Sequence, residues 1–117
     1  MDNKWSQRKW QREEVVILVT EYFRTKNLSP EAISESYQRI SKFLRHREEI
    51  ITGFPVSDVF RNYAGIQLQT HRVRCLDPES KYCAMQGTKL QKEIVQEYLA
   101  NPEKMVEEAE KIFKRYE

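Results

Sequence analysis

The stretch from Arg61 to Leu76 carries side chains that could bind an anion. It holds three arginines, one histidine and two glutamines but no aspartate or glutamate, whereas the rest of the chain mixes both signs of charge. Guanidinium, imidazole and amide N–H groups are donors suited to phosphates and to the edges of bases. This composition predicts either a solvated surface helix or a face that contacts nucleic acid.

The same stretch contains a histidine and a cysteine spaced for one face of a helix. His71 and Cys75 are one helical turn apart (i, i+4), Cys83 follows, and His46 is the other histidine. The set could ligate zinc, or His71 could activate Cys75 as a nucleophile. We favour neither, because no C-x-x-C pair and no glycine-rich oxyanion loop accompanies them. No metal or other cofactor is expected.

Carboxylate pairs do not indicate catalysis either. Adjacent glutamates point in different directions on a helix and do not converge on a substrate. The chain has no P-loop and no G-x-G-x-x-G motif. We therefore expect that the chain has no enzymatic activity. The carboxylate pairs are Glu13-Glu14, Glu48-Glu49 and Glu107-Glu108.

Apolar spacing and helix-capping residues predict an all-α bundle of about five helices with a helix-turn-helix-like core of the first three. Glycine and proline are sparse, and no Asn-Gly or Asp-Gly hairpin signal occurs. The second helix is expected to fray in the charged run from Arg45 to Glu49. The expected starting points are Arg12, Ser29-Pro30, Asn62, the capping box Thr88-x-x-Gln91, and Asn101-Pro102.

On a helix, the side chains of the stretch from Arg61 to Leu76 separate into a packing side and a donor side. Ile66 shares one side with Tyr63, Thr70, Val73 and, further out, Leu76. The donors Gln67, His71 and Arg74 gather on one flank, and Arg72 lies on the other. A second apolar stripe lies opposite the first and consists of Ala64, Leu68 and Cys75.

Length and charge favour one domain preceded by a short arm. The chain has 117 residues and a net charge of +2, so bulk charge alone predicts no nucleic-acid partner. We expect residues 1–11 to form a basic arm and residues 12–117 a single helical domain. The N-terminus lacks the apolar region of a signal peptide, and no apolar run approaches a membrane span, so a cytoplasmic protein is expected. The arm region interleaves Lys4, Arg8, Lys9 and Arg12 with Trp5 and Trp10, of which Trp10 is expected to pack on the core.

Two groups of residues resemble a known domain. Trp10-Gln11-Arg12-Glu13-Glu14 followed by an apolar run resembles the start of the N-terminal helical domain of bacterial restriction-type (McrA-like) HNH endonucleases. Phe60-Arg61-Asn62, Gly65-Ile66 and Leu76-Asp77-Pro78 follow at the spacing of that domain, and the similarity extends to Tyr116. The opening is also similar, more loosely, to Myb/SANT domains. The chain departs from the pattern at Gln69, Thr70, His71 and Arg72, which are more polar than the family at these positions.

The resemblance implies a DNA-binding accessory module of a restriction or phage-defence system, without nuclease activity, because this chain has no HNH motif. The expected partner is double-stranded DNA, either plain or in the modified form that such systems sense, together with a nuclease domain or partner subunit. The third helix and the arm would supply the contacts. The expected nucleic-acid-binding residues are Arg61, Asn62, Gln67, His71, Arg72, Arg74, Lys9 and Arg12.

The alternative is a protein-interaction or dimerisation module that binds no nucleic acid. In that case the stripe of Ala64, Leu68 and Cys75, or Trp5, would dock a nuclease domain or an identical subunit. A regulatory protein that mimics or blocks such a module is a third interpretation.

Overall fold

A computed structural model describes residues 8–81 and 84–117 of the chain. These residues form five α-helices and, within the described ranges, no strand, which confirms the predicted all-α fold. Lys4 and Trp5 of the expected arm, and Cys83, lie outside the described residues. The helices are α1 (Arg12–Thr25), α2 (Pro30–Thr52), α3 (Tyr63–Arg74), α4 (Lys89–Ala100) and α5 (Pro102–Arg115).

Helix α1 is the centre of the molecule. It packs against each of the other four helices. Five consecutive apolar residues, Val15 to Val19, are at most 1% exposed, because neighbours cover this helix on every side. Trp10 packs against the same core, as expected. The burial of this run provides the main hydrophobic stabilisation of the fold.

The other helices cover α1 in two groups. Helices α2 and α3 pack against α1 and against each other, as expected for a core of the first three helices. Helices α4 and α5 pack against α1 and against each other. Helix α3 contacts α1 and α2 extensively and α4 only slightly. One side of α3 is therefore left uncovered by the described helices.

Side-chain caps begin four of the helices where the sequence predicted them. Each cap satisfies a backbone N–H group that has no partner within its own helix. In α4 the Thr88 hydroxyl accepts from the Gln91 N–H at 3.1 Å, and the Gln91 amide oxygen accepts from the Thr88 N–H at 3.0 Å. The other caps are Ser29 on Ala32, Asn62 on Gly65 and Asn101 on Lys104.

Helix α2 does not fray in the charged run from Arg45 to Glu49, contrary to the prediction. It continues to Thr52, because Arg47 and Glu48 are buried in ion pairs that hold this turn against the start of α1. Gly53 then ends the helix in the left-handed conformation, with a φ of 77°. A glycine adopts this conformation without the steric cost that a Cβ imposes.

We expect Gly53→Ala to lower the free energy of unfolding by about 1 kcal/mol, since a Cβ disfavours positive φ. No atom lies within 4 Å of the added Cβ, so the cost is conformational and not steric crowding. Gly53→Asn should cost less, because asparagine tolerates this region. Urea unfolding of both variants checks this, and equal losses would contradict the account.

Candidate nucleic-acid interface

Arg61 lies inside the protein and not on its surface. The residue is 2% exposed, and its Nε donates to Oε2 of the fully buried Glu14 at 2.8 Å. Its guanidinium lies over the rings of Trp10 and Phe60, 4.4 and 4.5 Å from their centroids. This burial is incompatible with the phosphate contact predicted for Arg61. The arginine instead fastens the start of α3 to the start of α1.

The backbone around Arg61 is held in an unusual conformation. Arg61 has a φ of 46°, which is rare for a residue with a Cβ. Its carbonyl accepts a hydrogen bond from the Ser41 hydroxyl at 2.7 Å, and the preceding carbonyl of Phe60 accepts one from Arg45 at 2.6 Å. These bonds from α2 hold the strained turn that leads into α3.

Glu14 is charged despite its burial. Burial by itself would raise the pKa of Glu14, but hydrogen bonds from Arg61 and Arg8 outweigh it and lower the pKa below the ordinary value of 4.5. Arg8 also pairs with Glu48 of α2.

Arg12 is also engaged within the fold. Its guanidinium binds Glu97 of α4 at 2.8 and 2.9 Å and Glu108 of α5 at 3.0 and 3.1 Å. The hydrogen bonds from Arg12 lower the pKa of Glu97. The phosphate contact predicted for Arg12 would therefore require breaking these bonds. Lys9 is exposed next to this region.

Two further predicted contacts have local structural roles. The Asn62 side-chain oxygen accepts from the Gly65 N–H at 2.9 Å and caps α3. One Arg72 nitrogen donates to the Gln86 carbonyl at 2.8 Å and ties α3 to the segment before α4. The cap uses the side-chain oxygen of Asn62. The guanidinium of Arg72 has N–H donors besides the one bound to Gln86, and these could contact a ligand.

The remaining predicted residues share one side of α3. We define the outer face of α3 as Ala64, Gln67, Leu68, His71 and Arg74. Four of these residues are exposed, Leu68 by 42%, and His71 is half-buried. Helix α3 packs through the opposite side with Ile66, Thr70 and Val73, as predicted.

The C-terminal end of the outer face borders a cavity of about 580 Å³ between α1, α2 and α3. His71 and Arg74 line this cavity together with Lys26, Tyr22 and Asp77. Asp77 accepts hydrogen bonds from the Tyr22 hydroxyl and the Lys26 ammonium, both at 2.8 Å. Burial would raise the pKa of Asp77, but the bond from Lys26 and further hydrogen bonds lower it, so Asp77 is a carboxylate at neutral pH.

Helix periodicity separated the packing side of α3 from its donor side, but it did not identify which arginines are engaged in the interior. The relevant signal was the matching charge of Glu14 and Arg61, which face each other across 47 residues. Lys26 at the cavity was also missed, although the carboxylate that it binds belongs to Asp77, which the sequence analysis named in the group Leu76-Asp77-Pro78. Within the described ranges, no three His, Cys, Asp or Glu residues are grouped to hold a metal ion.

Arg61→Ala should lower the free energy of unfolding by roughly 3–5 kcal/mol, because it leaves the Glu14 carboxylate buried without its main partner. Chemical denaturation measures this loss. Adding Glu14→Gln to Arg61→Ala should recover part of it, since the uncompensated charge is removed. A loss below about 1 kcal/mol, the size typical of exposed pairs, would contradict the role given to the pair.

The stability of the fold should depend on acid through Glu14. A carboxylate with a lowered pKa stabilises the folded state fully above its unfolded pKa, and this contribution is lost as the pH falls through the folded value. Unfolding free energies should therefore decline below about pH 4.5, the ordinary value for glutamate. Glu14→Gln should be less stable at neutral pH and should decline less steeply in acid. Parallel pH profiles for the two proteins would contradict this assignment.

Comparisons with protein-family models, with curated proteins and with solved structures gave no match to this chain. The resemblance to the helical domain of restriction-type HNH endonucleases accordingly stays a prediction. Among the described helices, none has the length and apolar character needed to cross a membrane.

Proposed function

We propose that the chain is a double-stranded DNA-binding module that inserts the outer face of α3 into the major groove. The observation that carries this proposal is the uncovered outer face itself, which presents donors and no carboxylate. In line with the family resemblance, the module would serve a restriction or defence system as an accessory to a nuclease.

The dimensions of the outer face suit a major groove. From Ala64 to Arg74 the face extends about 15 Å along the helix, at 1.5 Å per residue. An α-helix with its side chains is about 10–12 Å across, and the major groove of B-DNA is about 12 Å wide. The described helices leave this side of α3 uncovered, so groove entry meets no steric obstacle from them.

The chemistry of the outer face supplies both kinds of contact that readout of DNA requires. Gln67 can form a bidentate pair with adenine, and Arg74 can pair with guanine or a phosphate oxygen. Ala64 and Leu68 offer apolar surface for thymine methyl groups. His71 adds a half-buried donor near the C-terminal end of the face. Arg72, held by Gln86, would act as a secondary phosphate contact.

Arg74→Ala should weaken binding to duplex DNA and reduce the salt slope by about one unit, because one phosphate-neutralising charge is lost. Gln67→Ala should reduce discrimination between sequences with a smaller change in slope. Fluorescence anisotropy of a labelled duplex, from low to physiological salt, measures both effects. Plain and cytosine-methylated duplexes would show whether modification is sensed.

The matched control is Lys104→Ala, which removes one exposed positive charge at the start of α5. It should leave the affinity and the salt slope close to those of the unaltered chain. If folded protein binds no duplex at low salt, or if Lys104→Ala and Arg74→Ala weaken binding equally, the proposed interface is incorrect.

A protein-interaction module is the second candidate, favoured by apolar exposure at the C-terminal end of α2. Phe54 is 73% exposed, and Ile50, Ile51 and Val59 are each about half exposed. Apolar residues concentrated at one place are typical of a docking site. This candidate predicts self-association that Phe54→Ser abolishes and Arg74→Ala leaves intact, as read by size-exclusion chromatography across protein concentration.

A further inference from the structure

A groove separates α2 from α5. The two helices do not pack closely, and aromatic side chains bridge the space between them. The ring centroids of Phe43 and Phe113 are 4.6 Å apart, and those of Phe43 and Tyr116 are 6.4 Å apart. The cavity above these rings has a volume of about 470 Å³. We call this feature the aromatic groove.

The aromatic groove lies on the side of α2 that is turned away from α3. Ser34, Tyr37 and Ser41 contact Tyr63 or the Arg61 carbonyl and so mark the side of α2 that faces α3. Phe43 and the groove-lining residues near it project from the opposite side, at about 100° per residue. The groove is therefore separate from the outer face of α3.

The floor of the groove consists of aromatic rings that are only partly covered. Phe43, Phe113 and Tyr116 are each half-buried, so part of every ring remains open. The Tyr116 hydroxyl donates to Glu13 at 2.8 Å and is consequently engaged on the inner side. What the floor can bind is an apolar side chain, which would be stabilised by removal of both surfaces from water.

The rim of the groove is positively charged. Arg39, Lys42 and His46 line it from α2 and Lys114 lines it from α5. Arg39 is already paired with Glu21, but Lys42 and Lys114 form no ion pair with any described residue. Glu117 is the one carboxylate among the lining residues. The ammonium groups of Lys42 and Lys114 thus flank an apolar floor, and positive side chains outnumber carboxylates among the lining residues.

We propose that the aromatic groove binds an acidic amphipathic segment of another protein. An apolar side chain of that segment would sit on Phe43, Phe113 and Tyr116. Carboxylates on either side of it would reach Lys42 and Lys114. Complementary charge of this kind sets the orientation and the specificity of a docked segment, while the apolar anchor supplies affinity.

A nucleic-acid strand fits the groove less well, although phosphates could also approach the two lysines. Binding of single strands relies on aromatic ring faces on which bases stack. Here Phe43 and Phe113 pack against each other, and the Arg47 guanidinium lies 5.2 Å from the centroid of the Tyr116 ring. The rings are therefore already engaged with neighbours, and their open parts suit a compact side chain.

The test is a selection of binders from a display library of short random peptides. The affinity of each enriched peptide is then measured by fluorescence anisotropy of the labelled peptide. The enriched peptides should combine an apolar anchor with Asp or Glu on both sides. Their affinity should fall at least about tenfold on Lys42→Glu with Lys114→Glu, because two attractive contacts become repulsive. The control variant, Lys92→Glu with Lys104→Glu, makes the same change in net charge on exposed positions of α4 and α5 and should bind as the unaltered chain does.

All substituted lysines are exposed, so both variants should keep the circular dichroism and melting temperature of the unaltered protein. Three results would overturn the proposal: no enrichment, enriched peptides without acidic residues, or equal weakening by the two pairs of substitutions. A labelled single-stranded oligonucleotide that competes for the groove would also overturn it in favour of nucleic acid. Duplex binding through α3 is independent of this outcome, since these experiments leave the outer face unaltered.

Discussion

The ion pair between Arg61 and Glu14 is the constraint on which the arrangement of α3 depends. A charge buried at this depth is tolerated only when partners replace its hydration. Glu14 belongs to the first turn of the central helix, and Arg61 immediately precedes the cap of α3. Their pairing therefore fixes where α3 begins relative to α1. With that position fixed, Ile66 and Val73 face the core and the outer face of α3 is directed away from it.

The carboxylates of α1 also determine which basic residues remain for a partner. Glu13 binds Arg47 and Arg115, and Glu21 binds Arg24 and Arg39. Together with the pairs of Arg8, Arg12 and Arg61, these contacts engage much of the arginine content within the fold. The net charge of +2 therefore does not indicate which basic side chains a partner can reach. The ion pairs within the fold are more informative. The outer face of α3 contains no carboxylate of its own, and Asp77 lines the cavity at its C-terminal end together with His71 and Arg74.

Local patterns were enough to predict the helices, whereas contacts between distant residues were not predictable. The caps at Ser29, Asn62, Thr88 and Asn101 follow from interactions over three residues, which the sequence displays directly. The burial of Arg61 follows from a contact across 47 residues, and nothing adjacent to Arg61 distinguishes it from a surface arginine. The continuation of α2 to Thr52 has the same origin, since distant partners stabilise a charged turn that local propensity leaves undecided. The predicted nucleic-acid-binding residues consequently included Arg61 and Arg12, which form ion pairs within the fold.

The proposal that the outer face of α3 binds DNA is tested most directly by a two-dimensional ¹H–¹⁵N correlation spectrum of the labelled protein, titrated with a short duplex. Binding through the outer face of α3 predicts that the largest shifts fall on Ala64, Gln67, Leu68, His71 and Arg74. The Arg61 amide and the groove residues Lys42 and Lys114 should change little. Shifts concentrated at the aromatic groove or around Phe54, with the outer face unchanged, would contradict the account.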